Sequence, residues 1–96
     1  MSNRLKQIKE TVIPIFEQYG IRQAGVFGSY ARGDEHPGSD IDFLIHLGKP
    51  IDLVQFIRLK AQLQDALGKR IDLVTDDTII PYFEPEIRKD LISIYE

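Results

Sequence analysis

A small α/β (α+β) domain, a mixed sheet of three or more strands flanked by helices, is predicted by three features of this 96-residue chain. Long segments repeat apolar residues every three or four positions. Short segments rich in β-branched and aromatic residues lie between them, and the two kinds follow one another as helix, strand, loop, strand, helix, strand, helix. The length fits one domain spanning residues 1–96 and leaves little room for a second.

In residues 3–19 the side chains of Leu5, Ile8, Val12, Ile15, Phe16 and Tyr19 share one helical face, and Gly20 marks the end. Pro14 falls inside this segment and predicts a kink or the start of a second helix. Residues 21–27, "IRQAGVF", read as a strand running into Gly28. Residues 40–47, "DIDFLIHL", are apolar on both faces after an acidic start, which predicts a central strand. Asp52 is an N-cap for a helix over 53–67, with a stripe of Leu53, Phe56, Ile57, Lys60, Leu63 and Leu67, and Gly68 closes it. "KRIDLVT", residues 69–75, reads as a third strand, and residues 80–95 contain a last helix, read from Glu86 onward. The helix between the second and third strands predicts a parallel pair.

With 43% hydrophobic and 28% charged residues the composition is that of a folded globular domain. No apolar run approaches the roughly 20 residues a bilayer requires, and the N-terminus shows no signal pattern, so the expected location is cytoplasmic with no membrane partner. The absence of cysteine excludes disulfides, thiolate metal sites and a cysteine nucleophile; any metal must be a hard ion held by oxygen, with histidine as the other available ligand. A formal charge of −3 and the lack of a basic run argue against nucleic acid as a bulk partner.

The chemistry concentrates in "GSYARGDEHPGSDIDFLI", residues 28–45. Gly28 and Ser29 end a strand with a backbone that a ligand can approach and a hydroxyl beside amides that open a short helix, an arrangement suited to phosphate. The plainer alternative is a strand-to-helix turn with Ser29 as N-cap. Asp40 and Asp42 stand two residues apart on one strand, so their carboxylates share a face. Either they mark a solvated strand end, or a divalent cation such as Mg²⁺ compensates two like charges at the edge of the core. Asp72 alternates with Ile71 and Leu73, and on a neighbouring strand its carboxylate would join the pair; three carboxylates suffice for two metal ions and in-line displacement at phosphorus. Arg32 lies one turn after Ser29, placed either to meet a triphosphate or to pair with Asp34, Asp40 or another acid. His36 and His46 read as surface or packing residues, and Tyr30 as stacking or packing.

Taken together, Gly28-Ser29, the ten residues 30–39, Asp40-Ile41-Asp42 and the later Asp72 in "RIDLV" resemble the minimal nucleotidyltransferases (MNT) of the DNA polymerase beta superfamily. The resemblance runs from about Leu5 to the C-terminus. It implies the palm-like nucleotidyltransferase fold and transfer of AMP from ATP, with release of pyrophosphate. Gly28, Ser29, Arg32, Asp40 and Asp42 would bind the nucleotide. Asp40, Asp42 and Asp72 would be the catalytic residues and would ligate two Mg²⁺ ions. The resemblance further implies a small helical HEPN-domain toxin as partner, with a tyrosine of that toxin as acceptor and this chain as antitoxin. Two other readings stand beside it: a non-catalytic module that neutralises a partner by contact, and nucleotidyl transfer to RNA.

Overall fold

The computed structural model describes residues 2–77 and 84–96. Helix α1 (Asn3–Gln18) starts at Ser2, whose hydroxyl accepts the Leu5 amide at 3.1 Å, and it buries Leu5, Ile8, Val12 and Phe16. The second helix offered as one outcome of Pro14 does not form: a single helix runs through it. Pro14 lies on the exposed side, where the carbonyl it leaves unbonded, that of Glu10, is open to water. Strand β1 (Ile21–Phe27) leads into a four-residue helix α2 (Ser29–Arg32). Strand β2 (Ile41–Leu47) follows, then α3 (Leu53–Leu67), β3 (Ile71–Thr75), α4 (Glu84–Asp90) and β4 (Ile92–Tyr95).

Helix α3 has the predicted ends. Asp52 and Gln55 form a reciprocal capping box, and Gly68 at φ +65° supplies the left-handed closing residue. Its buried stripe differs from the predicted one. Leu59 and Leu63 are fully buried, whereas Leu53 and Ile57 are 72% and 57% exposed. The face toward the sheet is therefore rotated from the expected stripe, and it leaves Leu53, Val54 and Ile57 on the surface.

The sheet order is β3-β2-β1-β4, with β2 antiparallel to β1 and parallel to β3, as the α3 crossover requires, and β4 antiparallel to β1. The predicted last helix is corrected at its C-terminal half: helix covers 84–90 and residues 92–95 form edge strand β4. "ISIY" carries two isoleucines and a tyrosine, and pairing with β1 satisfies its backbone while burying Ile94. The part of the predicted segment over 80–83 lies outside the described residues.

One side of the sheet carries the core. Ile41, Phe43 and Ile45 of β2 pack with Val12 and Phe16 of α1 and with Leu59 and Leu63 of α3. Phe16 and Phe43 meet edge to face, ring centroids 5.7 Å apart at 83°, which adds about 0.5–1.5 kcal/mol to area burial. Strand alternation sends Asp42, Leu44 and His46 to the other side. The site is built there.

Candidate active site

Residues Asp42 and Asp72 are direct register partners on the parallel strands β2 and β3, so their carboxylates stand side by side on the face turned away from the core. On the other flank of β2, Phe27 of β1 is the register partner of Asp42, and the chain then turns sharply at Gly28. Gly28 has φ +75° and ψ −151°, a region open essentially to glycine alone. A Cβ here would overlap Asp42 Oδ2. The glycine thus serves two purposes at once: it permits the turn, and it leaves the space that the aspartate fills.

Ser29 is the first residue of α2, and Gly28, not Ser29, is the N-cap; no side-chain capping bond forms. The plainer reading is corrected in its cap alone: the strand-to-helix turn is present, with Gly28 in the place predicted for Ser29. Helix α2 closes at Gly33 after one turn.

Burial first, then the charges of Asp72 and Asp40, push the Asp42 carboxyl up to about 6, with Arg32 pulling in the opposite direction. Two carboxylates held side by side, one of them half-buried, are a stored electrostatic penalty. All-oxygen donors of this kind suit a hard divalent cation, which reverses the sign of that penalty.

Asp40 stands apart from the other two. It precedes β2, and its Oδ1 accepts from Arg70 Nε at 3.1 Å, with both side chains largely exposed. Among the described residues, no three His, Asp or Glu side chains are gathered closely enough to hold a metal ion. The structure therefore brings together Gly28, Ser29, Asp42 and Asp72, and leaves Asp40 at the mouth on Arg70.

Arg32 takes the ion-pair option. Its Nε donates to Asp34 Oδ2 at 3.1 Å and its Nη1 to Asp90 Oδ2 at 2.9 Å, and these two partners hold the guanidinium above its ordinary pKa. The Asp90 contact ties the turn after Ser29 to the end of α4. Sequence reasoning missed both Asp90 and Arg70, because Asp90 lies 58 residues from Arg32 and nothing local marks it.

Among the residues the sequence left undecided, His36 closes its own loop by accepting the Gly38 amide at 3.3 Å. His46 lies on the same face as Asp42 and meets Asp76 Oδ2 through Nδ1 at 2.7 Å. Tyr30 packs: it is buried, and its hydroxyl has no hydrogen-bond partner among the described residues. Such an orphan costs on the order of 1–3 kcal/mol.

Comparison with known proteins places this geometry. The model of the family described as Polymerase beta, Nucleotidyltransferase matches residues 10–96. The protein adenylyltransferase MntA of Thermococcus cleftensis is 41% identical over 78 residues, covering 81% of this chain and 79% of that protein. Among solved structures, a toxin-antitoxin crystal structure with AMP-PNP superposes with a TM-score of 0.80 at 21% identity, covering 91% of this chain and 72% of that one. The complex of the tri-AMPylated HEPN toxin of Shewanella oneidensis with its MNT antitoxin gives 0.75 at 17% identity, covering 95% and 71%. At those identities the two structures speak for the fold, and the family match together with the sequence relative speaks for the chemistry. The chain belongs to the polymerase beta nucleotidyltransferase family and is a nucleotidyltransferase.

Proposed function

We propose that this protein transfers AMP from ATP to a tyrosine hydroxyl of a helical HEPN partner in a Mg²⁺-dependent reaction, and so acts as an antitoxin. The observation that carries the reading is the pairing of Asp42 with Asp72 directly beneath the Gly28 turn. The MntA relative bears the adenylyltransferase name, and the tri-AMPylated toxin complex shares the fold.

In this reading Ser29 and the neighbouring amides receive the phosphates of ATP at the Gly28 turn, beside the Asp42 carboxylate. Arg32 adds a positive charge to the same end of the site by exchanging one of its aspartate partners for phosphate oxygen. Asp42 and Asp72 would hold Mg²⁺, joined by Asp40 on release from Arg70; the bound ion would neutralise the phosphate oxygens and lower the barrier to attack. Asp72, more exposed than Asp42, accepts the proton of the acceptor hydroxyl. The acceptor oxygen bonds to the α-phosphorus, the bond from that phosphorus to the β-phosphate bridging oxygen breaks, and pyrophosphate leaves.

The test incubates labelled ATP and Mg²⁺ with the partner toxin, with RNA and with each transferase form: native, Asp40→Asn and Asp42→Asn. Labelled toxin with the native protein alone is the expected result. Equal labelling by all three forms would overturn the catalytic assignment. Labelled RNA would move the acceptor to nucleic acid, and an unlabelled toxin still neutralised by the Asp40→Asn and Asp42→Asn proteins would leave contact as the mechanism.

A further inference from the structure

Arg32 is held at two points by acids from different parts of the fold. Its Nε donates to Asp34 Oδ2 at 3.1 Å and its Nη1 to Asp90 Oδ2 at 2.9 Å. Asp34 belongs to the turn that carries the serine, since its own amide donates to the Ser29 carbonyl at 3.1 Å. Asp90 comes from elsewhere: it is the last residue of α4, 58 residues along the chain from Arg32.

The two partners are not equivalent. The Asp34 side chain is 61% exposed and that of Asp90 19%. An ion pair open to water is screened and readily exchanged, and a shielded one less so. Asp90 does nothing for its own helix, because a carboxylate at a helix C-terminus opposes the helix dipole. Its neighbour Leu91 lies over Gly25 of β1, where an added Cβ would stand 2.6 Å from Leu91 Cδ1. The junction between α4 and β4 is thus seated on the sheet, and Asp90 reaches Arg32 from a fixed base.

A guanidinium carries five N–H donors in a planar fork. Nε and Nη2 share one edge of it, and that edge matches two oxygens of a phosphate. Asp34 occupies Nε, whereas Asp90 holds the other corner, Nη1. Exchange of Asp34 alone therefore opens the phosphate-matching edge with Asp90 still in place. From this position Arg32 already acts on the site, since its charge opposes the rise at Asp42.

Given the phosphate role proposed above for Arg32, on which this rests, we infer that Asp90 is a positioning residue for the nucleotide: it keeps the guanidinium fixed beside the Ser29 turn while Asp34 gives up its place to phosphate oxygen. An arginine already held in place loses less side-chain entropy on meeting phosphate than a free one. Charge alone predicts the opposite sign, because removing a carboxylate near an anionic ligand should tighten binding.

The test titrates α,β-methylene-ATP with Mg²⁺, whose α–β link transfer cannot break, into native protein and into Asp90→Ala, Asp90→Glu, Asp34→Ala and Arg32→Ala, with the melting temperature of each recorded. Asp90→Ala should bind about fivefold more weakly, Asp90→Glu should recover most of the loss, and Asp34→Ala should bind at least as tightly as native protein. In the transfer assay Asp90→Ala should raise KM for ATP by a similar factor with little change in kcat. Should Asp90→Ala fail to fold, Asp90→Asn, of the same shape, takes its place with the same expectation. Native or tighter binding by the Asp90 variant, beside weaker binding by Arg32→Ala, would overturn the role of Asp90 and leave Arg32 in the nucleotide site. Native binding by Arg32→Ala would remove Arg32 from that site and the role of Asp90 with it. Equal losses in Asp34→Ala and Asp90→Ala would overturn the division between the two partners.

Discussion

Strands β2 and β3, with the turn residue Asp76 that follows β3, carry two polar rungs, and they behave oppositely. At the start, Asp42 stands beside Asp72, like charge against like, in a half-buried place that pushes Asp42 up to about 6. At the end, about 13 Å further along the strand, His46 meets Asp76 at 2.7 Å in a contact open to water. Between them the rung of Leu44 and Val74 is apolar. The far rung is satisfied by its own partners. The near rung sets like charge against like, and a perturbed carboxyl of that kind is what marks it as the candidate site.

The contrast can be broken at either end, and the largest effect belongs to the near rung. Asp42→Asn should lower AMP transfer about a thousandfold, since a carboxylate that would hold Mg²⁺ is lost; a quenched-flow or labelling rate measures it. The same variant should melt no lower than native protein in metal-free buffer at pH 7.5, because a penalty has been removed with the function. Gly28→Ala should follow closely. A side chain at φ +75° and ψ −151° costs roughly 1–3 kcal/mol, and its Cβ also displaces Asp42, so both melting temperature and transfer rate fall together.

Next comes Arg32→Ala, which should raise KM for ATP about tenfold with a smaller change in kcat if the guanidinium meets the triphosphate. A change confined to thermal stability would leave Arg32 as a structural tie to Asp90. Smaller still is the pH effect. A carboxyl raised from 3.8 to about 6 on folding favours the protonated native state, so its stabilising contribution is fully present below the unfolded value and is lost as pH rises through about 6. Solvent screening of a half-exposed group reduces this to about 1 kcal/mol. Urea melts between pH 4.5 and 7.5 without metal should show the loss, and Asp42→Asn should flatten the curve. The smallest effect is at the far rung, where His46→Ala should cost about 0.5 kcal/mol or less and leave transfer unchanged.

How legible this was from sequence depended on the range of the interaction. The ends of α3, set by Asp52 and Gly68, and the three main strands follow from local rules: a cap bonds within its own turn, and alternation needs only neighbours. The parallel pairing that brings Asp72 to Asp42 followed from the helix between their strands. The stripe on α3 was misplaced because Leu53 and Ile57 fit helical spacing as well as Leu59 does, and only the sheet chooses which of two apolar faces it covers. Strand β4 was read as helix because four residues at the end of a periodic segment carry too little pattern of their own; the free edge of β1 made them a strand.

The sequence by itself determined that Asp42 and Asp72 share a face beside the Gly28 turn, since spacing along strands and a turn makes side-chain direction a property of the backbone. Tertiary structure alone decided how those charges are balanced. Asp40 went to Arg70, Arg32 to Asp34 and Asp90, and Asp42 was left with an acid as its neighbour. Electrostatic pairing acts through space over a few ångströms, and distance in space is the quantity a linear sequence does not carry.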